Sequence, residues 1–365
     1  MPDGSTKRRV AAPKRPTISD VAALAGTSKG TVSFVLNGRP GVAPTTRERV
    51  LAAIQDLGFA PSQVARSLSN SRAGVIGLVL ARTPQTLRAD PFFAPFIAGV
   101  EFGITESDNL VLLRFVDGEQ AELSIYQRLA KSRQVDGFIL ADLRHDDARL
   151  PLLRELHMPA VTLNRPDVDS SFVAVCNDET SGIQQAAAHL VALGHRRIAH
   201  VSGPPQYLHA MQRDATWRRA LAAHGVDLAG SVSSDFTADG GAHATRSLLA
   251  GAADDRPTAI VYDNDTMALA GAKAAQALGF DVPADVSVVG FDDAELSAHV
   301  SPSLTTIRTD PFAWGETAAR TLLRVIDGAD PGAEVSAGTS TLIPRASTAP
   351  RDADRVPHNA ATARR

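Results

Sequence analysis

The sequence predicts an α/β protein in which a small all-helical N-terminal domain precedes a large body made of two α/β lobes. Three short amphipathic stretches with helical spacing fill residues 17–58. From residue 74 onward, short β-branched runs alternate with helical stretches, which is typical of parallel sheets covered by helices. This alternating part spans roughly 270 residues, which is large for one doubly wound sheet, so we expect two lobes with a cleft.

The bulk composition indicates a folded protein that does not enter a membrane. The chain has 365 residues, of which 44% are hydrophobic and 21% are charged. It has no apolar run long enough to span a bilayer, and Lys7, Arg8 and Arg9 are not followed by the apolar segment of a secretory signal. The single cysteine, Cys176, lies in a strand-like run and is typical of a buried structural thiol. We therefore expect a cytoplasmic location.

Charge is distributed unevenly along the chain. Residues 1–72 hold eleven Lys and Arg against four Asp and Glu, whereas the rest of the chain holds 26 basic and 36 acidic residues. A basic head on an acidic body favours a polyanionic partner at the N-terminal end, although a solvated basic tail explains the same numbers.

Each helical stretch of the head has its own start and stop signals. Thr17 and Ser28 suit the N-cap positions of the first two helices, Pro44 suits the first turn of the third, and Gly58 suits its end. The apolar residues that we place on the inner faces are Ile18, Val21, Ala22, Ala25, Val32, Leu36, Val50, Leu51, Ile54 and Leu57. A sharp turn at residues 26–27 gives the first two helices a helix-turn-helix arrangement.

The domain boundaries follow from these patterns. We expect a disordered basic tail at residues 1–16, the helix-turn-helix domain at 17–60, a linker at 61–73, the two-lobed body at 74–347 and a disordered tail at 348–365. The linker is long enough for one or two helical turns but too short to be a stable helix alone. The strands of the body are expected at 74–80, 110–115, 136–140, 159–163, 197–201, 258–262 and 286–290, with helices between them.

Several motifs resemble the LacI family of bacterial repressors in both order and spacing. In the head they are residues 17–22, 25–28, 31–33, 36–37, 47–50 and 57–61; in the body they are residues 91–93, 193–199, 264–268, 285–293 and 304–307. The resemblance covers nearly the whole chain. It implies a periplasmic-binding-protein-like body, two α/β lobes joined by crossing strands, and a homodimer.

The second helix of a helix-turn-helix lies in the major groove, where its early residues reach base edges. In this chain those residues are Ser28, Lys29, Gly30, Thr31, Ser33 and Phe34. Lys29 is suited to guanine, whereas Phe34 departs from the family, which usually carries a polar or basic residue there. Phe34 either touches a thymine methyl group or fills space. The resemblance implies phosphate contacts from Thr17, Asn37 and Arg47.

The linker resembles the family's hinge helix, which folds on DNA and enters the minor groove. The matching positions are Ser62, Ala65 and Leu68, and Leu68 takes the place of the leucine that wedges open the central base step. Two such wedges in a dimer imply a palindromic double-stranded operator bent at its centre. The alternative is an ordinary linker with a buried leucine.

Carrying over the family's ligand positions places an effector in the cleft. The positions are Asp90, Phe92, Phe93, Asn164, Arg213, Phe236, Asn264 and Asp292. A guanidinium, a carboxylate, amides and an aromatic face suit a sugar, and Asp292 and Asp293 are expected to point apart. For each residue the alternative is a purely structural contact.

The chain lacks the motifs of common enzymes and metal sites. We find no Walker loop, no G-x-G-x-x-G after a strand and no HExxH spacing among His189, His195 and His200, so we expect no cofactor, no metal and no enzyme activity. The sequence predicts a repressor of carbohydrate-utilisation genes that leaves its operator when a sugar binds. The alternatives are a corepressor-dependent regulator with another ligand such as a purine, and a solute-binding protein.

Overall fold

The computed structural model describes residues 16–36, 39–59, 72–83, 86–87 and 90–351. The chain divides into two compact units, residues 1–73 and residues 74–365. Asn37 and the hinge positions Ser62, Ala65 and Leu68 lie outside the described residues, as do the predicted tails at 1–15 and 352–365.

The first unit contains three helices, α1 (Ile18–Leu24), α2 (Lys29–Leu36) and α3 (Pro44–Leu57). Thr17 is the N-cap of α1, and the Asp20 carboxylate accepts a hydrogen bond from its backbone N–H at 2.7 Å. The Ser28 hydroxyl accepts from the Thr31 N–H at 3.1 Å and so caps α2. Gly58 ends α3 with a φ of 56°, a left-handed conformation that favours glycine.

A small apolar core holds these helices together. Its buried members are Val21, Ala22, Ala25, Val32, Val35, Val50 and Ala53. The expectation that Val32 faces the core is confirmed. Leu51 was expected on the inner face of α3 but is 51% exposed. The inner face of this helix is formed by Val50, Ala53 and Ile54 instead.

Twelve strands are present in the described part of the second unit. They are β1 (Val75–Leu80), β2 (Leu110–Phe115), β3 (Gly137–Leu140), β4 (Ala160–Leu163), β5 (Val173–Asp178), β6 (Ile198–Ser202), β7 (Leu228–Ser233), β8 (Ala259–Tyr262), β9 (Ser287–Asp292), β10 (Thr305–Arg308), β11 (Glu334–Thr339) and β12 (Thr341–Ile343). They form two six-stranded sheets, in the orders β11-β5-β4-β3-β1-β2 and β12-β10-β9-β8-β6-β7. All pairings are parallel except that of β12 with β10. The predicted two-lobed α/β body is confirmed.

The helices of the second unit cover these sheets. They are α4 (Phe93–Gly103), α5 (Glu119–Lys131), α6 (Arg149–Glu155), α7 (Thr180–Ala192), α8 (Leu208–Ala222), α9 (Ala238–Leu249), α10 (Asp265–Ala277) and α11 (Pro311–Ile326), with a 3₁₀ turn at Glu295–Ala298. None of the helices in the described ranges is long and apolar enough to cross a membrane.

The two lobes are joined by three passages of the chain. It leaves the first sheet after β5, returns to it after β10, and passes to the second sheet again after β11. Because the carboxyl ends of parallel strands meet at one edge of each sheet, this topology faces the two edges toward one cleft.

Several features of the body differ from the sequence expectations. Strands β7, β10, β11 and β12 and helix α6 were not predicted, because they are short or lack an alternating apolar pattern. Cys176 lies in β5 as expected but is only half-buried, and burial beside Glu334 raises the pKa of its thiol to about 11. The prediction of a disordered tail from residue 348 is wrong for residues 348–351, since the Arg351 N–H donates to the Leu193 carbonyl at 2.8 Å and Thr348 bonds to His189.

Candidate functional site

The outer face of α2 presents the residues expected to read bases. Lys29 and Gly30 are exposed and Thr31 is half-exposed, while Phe34 is 43% exposed with the Arg39 guanidinium 5.8 Å from its ring centroid. Phe34 therefore does not fill the core, which leaves thymine contact as its predicted role. Gly30 has no side chain, so it can approach DNA only through its backbone.

The other predicted head contacts sit at the rim of this face. Ser28 is exposed, but its hydroxyl is already engaged as the cap of α2 and lies 3.0 Å from the Thr31 hydroxyl. Arg47 is half-buried and donates to the Arg39 carbonyl at 3.0 Å, and Thr17 is exposed. Ser33 is half-buried.

In the second unit, a cavity of about 620 Å³, its open mouth included, lies between the two lobes. Seven of the eight predicted effector residues line it, namely Asp90, Phe92, Asn164, Arg213, Phe236, Asn264 and Asp292. The exception is Phe93, which is buried in the core of the first lobe and makes an edge contact with Phe92.

Arg213 is the central cation on the second lobe. Its Nε and Nη2 donate to the two Glu179 oxygens at 2.8 and 2.7 Å, and its Nη1 donates to the Asp263 carbonyl at 3.0 Å. The guanidinium lies 3.9 Å from the centroid of the Phe291 ring. Burial lowers the pKa of Arg213, but Glu179 more than compensates and holds it above its ordinary value, so the residue is a fixed cation.

Asp292 is the acceptor that the protein leaves open. Within the described residues its carboxylate accepts no hydrogen bond, and burial holds its pKa well above the ordinary value although Arg213 lies nearby. The adjacent Asp293 points away and pairs with Arg308 at 2.7 Å and Arg345 at 2.6 Å. The expectation that these two carboxylates diverge is confirmed.

The first lobe contributes a cluster that the sequence did not reveal. The Arg82 guanidinium donates twice to Asp142, at 2.6 and 2.7 Å, and once to Asp90 at 2.7 Å. Burial raises the pKa of Asp90; Asp142 is also penalised by burial, but Arg82 brings its pKa below the ordinary value. The guanidinium lies within about 5 Å of three ring centroids, those of Phe93, Tyr207 and Phe236.

Aromatic rings form part of the cavity wall. Phe92 and Trp314 meet edge to face at 5.8 Å, and the Trp314 indole N–H donates to the Val175 carbonyl at 2.8 Å, which fixes the ring. On the second lobe, His209 stacks between Tyr207 and Phe236 at 5.5 and 5.7 Å. Burial lowers the pKa of His209 to about 4, so this ring is neutral near pH 7.

Two of the predicted effector amides also have structural roles. The Asn264 side chain caps α10 by accepting from the Met267 N–H at 2.8 Å, and it donates to the Phe236 carbonyl at 3.0 Å. The Asn164 Oδ1 accepts from the Asn177 N–H at 3.2 Å. Both side chains therefore make structural contacts, and both also line the cavity.

A buried network of charged side chains in the second lobe lies next to Arg213. His200 lies between Asp214 at 3.0 Å and Asp263 at 2.9 Å, and Asp263 also accepts from the Gly203 N–H at 2.8 Å. Burial lowers the pKa of His200, but the two carboxylates together raise it to about 9. Since the Asp263 carbonyl receives Arg213, this network sets the position of that guanidinium.

His195 has a structural role. It lies at the turn from α7 to β6 and bonds to Thr258 and the Ala349 carbonyl. Among the described residues, one grouping has metal-like spacing, His145 with Asp146 and Asp167, and all three are exposed on the surface.

Four residues that line the cavity have a strained backbone conformation. Asp142, Asn164, Phe236 and Asp292 have φ values of 52°, 66°, 65° and 99°, a conformation that non-glycine residues rarely adopt. Such strain collects at ligand sites, where the surrounding structure over-determines the backbone. It is a property of loop geometry, and no sequence signal reveals it.

The cavity residues that the sequence did not predict include Arg82, Asp142, Glu179, His209, Gln212 and Trp314. One signal was available for Arg82, which follows the carboxyl end of β1 closely, and for Glu179, which follows β5 directly. Trp314 and His209 lie inside or at the start of helices and gave no such signal.

A helix-turn-helix unit joined in one chain to a two-lobed body with a polar interlobe cavity defines a ligand-responsive transcriptional regulator. The comparisons agree with this class. A family model described as bacterial regulatory proteins of the lacI family matches residues 17–62, and one described as a periplasmic binding protein-like domain matches residues 187–348. The chain belongs to the LacI family and is a DNA-binding transcriptional regulator.

Individual relatives share almost the full length. The transcriptional regulator CelR of Thermobifida fusca is 37% identical over 86% of this chain and 93% of its own length. The transcriptional repressor PurR of Photobacterium profundum is 32% identical over 84% of this chain and 91% of its own.

Solved structures give the same result. A CelR–cellobiose complex has a TM-score of 0.70 and 34% identity, and the match covers 91% of this chain and all of that one. A lac repressor dimer bound to operator and the anti-inducer ONPF has a TM-score of 0.81 and 29% identity, covering 92% of this chain and all of that one.

Proposed function

We propose that this regulator represses carbohydrate-utilisation genes and releases a palindromic operator when a sugar binds in the interlobe cavity. The observation that carries the proposal is the open carboxylate of Asp292 beside the fixed guanidinium of Arg213, in a cavity with aromatic walls. Hydroxyl groups need donors and acceptors in fixed places, and an aromatic ring packs on the C–H face of a pyranose. The complex of the relative CelR with cellobiose supports a sugar effector.

The DNA half of the proposal rests on the head. α2 enters the major groove with Lys29 and Thr31 toward base edges, Phe34 on a thymine methyl group, and Thr17 and Arg47 at phosphates. Asn37 and the hinge contacts Ser62, Ala65 and Leu68 complete the interface. Two chains bind as a homodimer, which accounts for the palindromic operator, and the lac repressor dimer on its operator supports this arrangement. The protein acts in the cytoplasm and catalyses no reaction.

The domain boundaries proposed from the sequence fit this division of labour. The helix-turn-helix domain ends near residue 60 and the effector domain begins at residue 74, where the second compact unit begins. Residues 348–351 belong with the effector domain, since the Arg351 N–H donates to the Leu193 carbonyl.

Selection of genomic fragments by the purified full-length chain tests the proposal. We expect one enriched palindrome, bound less tightly as salt rises, and lost on addition of one sugar from a panel that includes cellobiose and glucose. Lys29→Ala removes a proposed base contact and serves as the DNA-binding control, while Asp292→Ala serves as the effector control. Operator binding that appears only when a purine is added would replace induction by corepression, the alternative that the sequence left open.

A further inference from the structure

The charges that line the interlobe cavity are unevenly balanced. Two arginines, Arg82 and Arg213, face four carboxylates that belong to no other ion pair, those of Asp90, Asp142, Glu179 and Asp292. The remaining charged lining residues are compensated elsewhere: Asp263 pairs with His200, and Arg165 pairs with Glu334 at the exposed mouth. The cavity is thus neutral or acidic and has no surplus positive charge.

Neither arginine has charge to spare for an anionic ligand. Glu179 holds Arg213 by two hydrogen bonds, and Asp142 holds Arg82 by two more with Asp90 as a third partner. Each guanidinium keeps N–H groups that reach a hydroxyl oxygen, but its charge is already met by a carboxylate in bidentate geometry. His209, the other basic group in the wall, is neutral near pH 7.

On the basis of the function proposed above, we infer that the effector is an uncharged, unphosphorylated saccharide, and that Glu179 and Asp142 are the residues that exclude sugar phosphates. A phosphate group brings about 1.5 to 2 negative charges at neutral pH. Inside this cavity it would find no free cation, because Glu179 neutralises Arg213 and Asp142 neutralises Arg82, and an unpaired buried charge is strongly disfavoured. A hydroxyl group brings no charge and has no such cost.

Inorganic phosphate is a probe that does not depend on the identity of the sugar. At constant ionic strength, calorimetry of the full-length wild type is expected to show no saturable phosphate binding. Glu179→Gln leaves Arg213 without its carboxylate partner and is expected to gain a saturable phosphate site. Asp142→Asn leaves Arg82 with Asp90 as its remaining carboxylate partner, and burial raises the pKa of Asp90, so this variant is expected to gain a weaker site. Glu334→Gln is the matched control: it releases Arg165, which is 73% exposed, and is expected to gain none.

Operator release by paired sugars gives the second measurement. Glucose with glucose 6-phosphate, and cellobiose with its 6-phosphate, are compared on the wild type. We expect the unphosphorylated member of the active pair to release the operator at a concentration at least tenfold lower than its phosphorylated partner. In Glu179→Gln we expect the ratio of these two concentrations to be smaller. Saturable phosphate binding by the wild type that is lost in Arg213→Gln, or a phosphorylated sugar acting as well as its partner, overturns the inference.

These outcomes separate this inference from the proposed function. If no sugar of either kind releases the operator but the wild type ignores phosphate and the two variants bind it, the choice of a sugar effector is wrong and the charge selection stands. If an unphosphorylated and a phosphorylated sugar both release the operator equally, the proposed function stands and the selection by Glu179 and Asp142 is wrong.

Discussion

Asp292 and Asn264 lie at the same edge of the second sheet but have different partners. Asp292 accepts no hydrogen bond from the described protein, whereas Asn264 caps α10 and also holds the Phe236 carbonyl. A side chain without protein partners is available for a ligand, and one that caps a helix stabilises the fold first. Substitution of Asp292 is therefore expected to affect ligand binding, whereas substitution of Asn264 is expected to affect stability.

We expect Asp292→Ala to lower sugar affinity more than tenfold without lowering the free energy of unfolding, because a buried carboxyl group with a raised pKa contributes no stability near pH 7. Asn264→Ala is expected to lower the free energy of unfolding by about 1–2 kcal/mol through loss of the cap. Calorimetric titration and urea unfolding measure the two effects. Equal loss of stability in both variants would show that Asp292 has a structural role that we have not identified.

His200 links pH to stability in a direction that its environment fixes. Its pKa is about 9 in the folded protein and ordinarily about 6.5. Because the folded pKa is higher, the stabilisation is fully present below pH 6.5 and is lost as pH rises through about 9.

We predict that the wild type loses up to about 3 kcal/mol of unfolding free energy from this group between pH 6.5 and 10. His200→Gln cannot be charged, so the variant is less stable at pH 6.5 and its pH dependence in this window is shallower. Urea unfolding at several pH values gives both slopes. Parallel slopes for the wild type and the variant would contradict a charged His200.

At the scale of elements, the contact between α4 and α11 depends on two glycines. A Cβ added at Gly99 would lie 2.0 Å from the Phe312 carbonyl oxygen, and one at Gly315 would lie 2.1 Å from the Phe96 carbonyl oxygen. These atoms belong to backbone that has no room to move, so the two helices approach closely only because both side chains are absent.

Gly315→Ala is predicted to destabilise the body by at least about 2 kcal/mol, since it forces helix backbones apart in a packed core. Gly251→Ala provides the control, because a Cβ there meets nothing within 4 Å. We expect the control to change unfolding by less than about 0.5 kcal/mol. Urea midpoints measure both, and similar midpoints for the two variants would show that α4 and α11 tolerate a wider separation.

At the scale of the whole molecule, the chain consists of two compact units, and each has its own apolar core. A unit with its own core is expected to fold alone. In an allosteric regulator, the effector and the operator must alter each other's affinity by the same factor, typically 5- to 150-fold.

We predict that a chain of residues 74–365 folds, binds the sugar and does not bind operator DNA. In the full-length protein, saturating operator is expected to weaken sugar binding by the same factor by which saturating sugar weakens operator binding. The shorter chain is expected to have the same sugar affinity with and without operator. Calorimetry and fluorescence anisotropy measure the two affinities, and unequal factors would exclude simple two-state coupling.

The sequence alone determined the order of the parts, the helix-turn-helix head and the alternation of strands and helices, which follow from local signals read along the chain. The lining positions came from the resemblance of its ordered motifs to the LacI family, and they are Asp90, Phe92, Asn164, Arg213, Phe236, Asn264 and Asp292. Only the tertiary structure decided that Arg82 meets Asp142 and Asp90, that Glu179 closes on Arg213, and that Trp314 joins the wall. Those contacts join residues eight to 139 positions apart, so they depend on how the sheets and crossovers bring distant segments together rather than on any pattern within one segment.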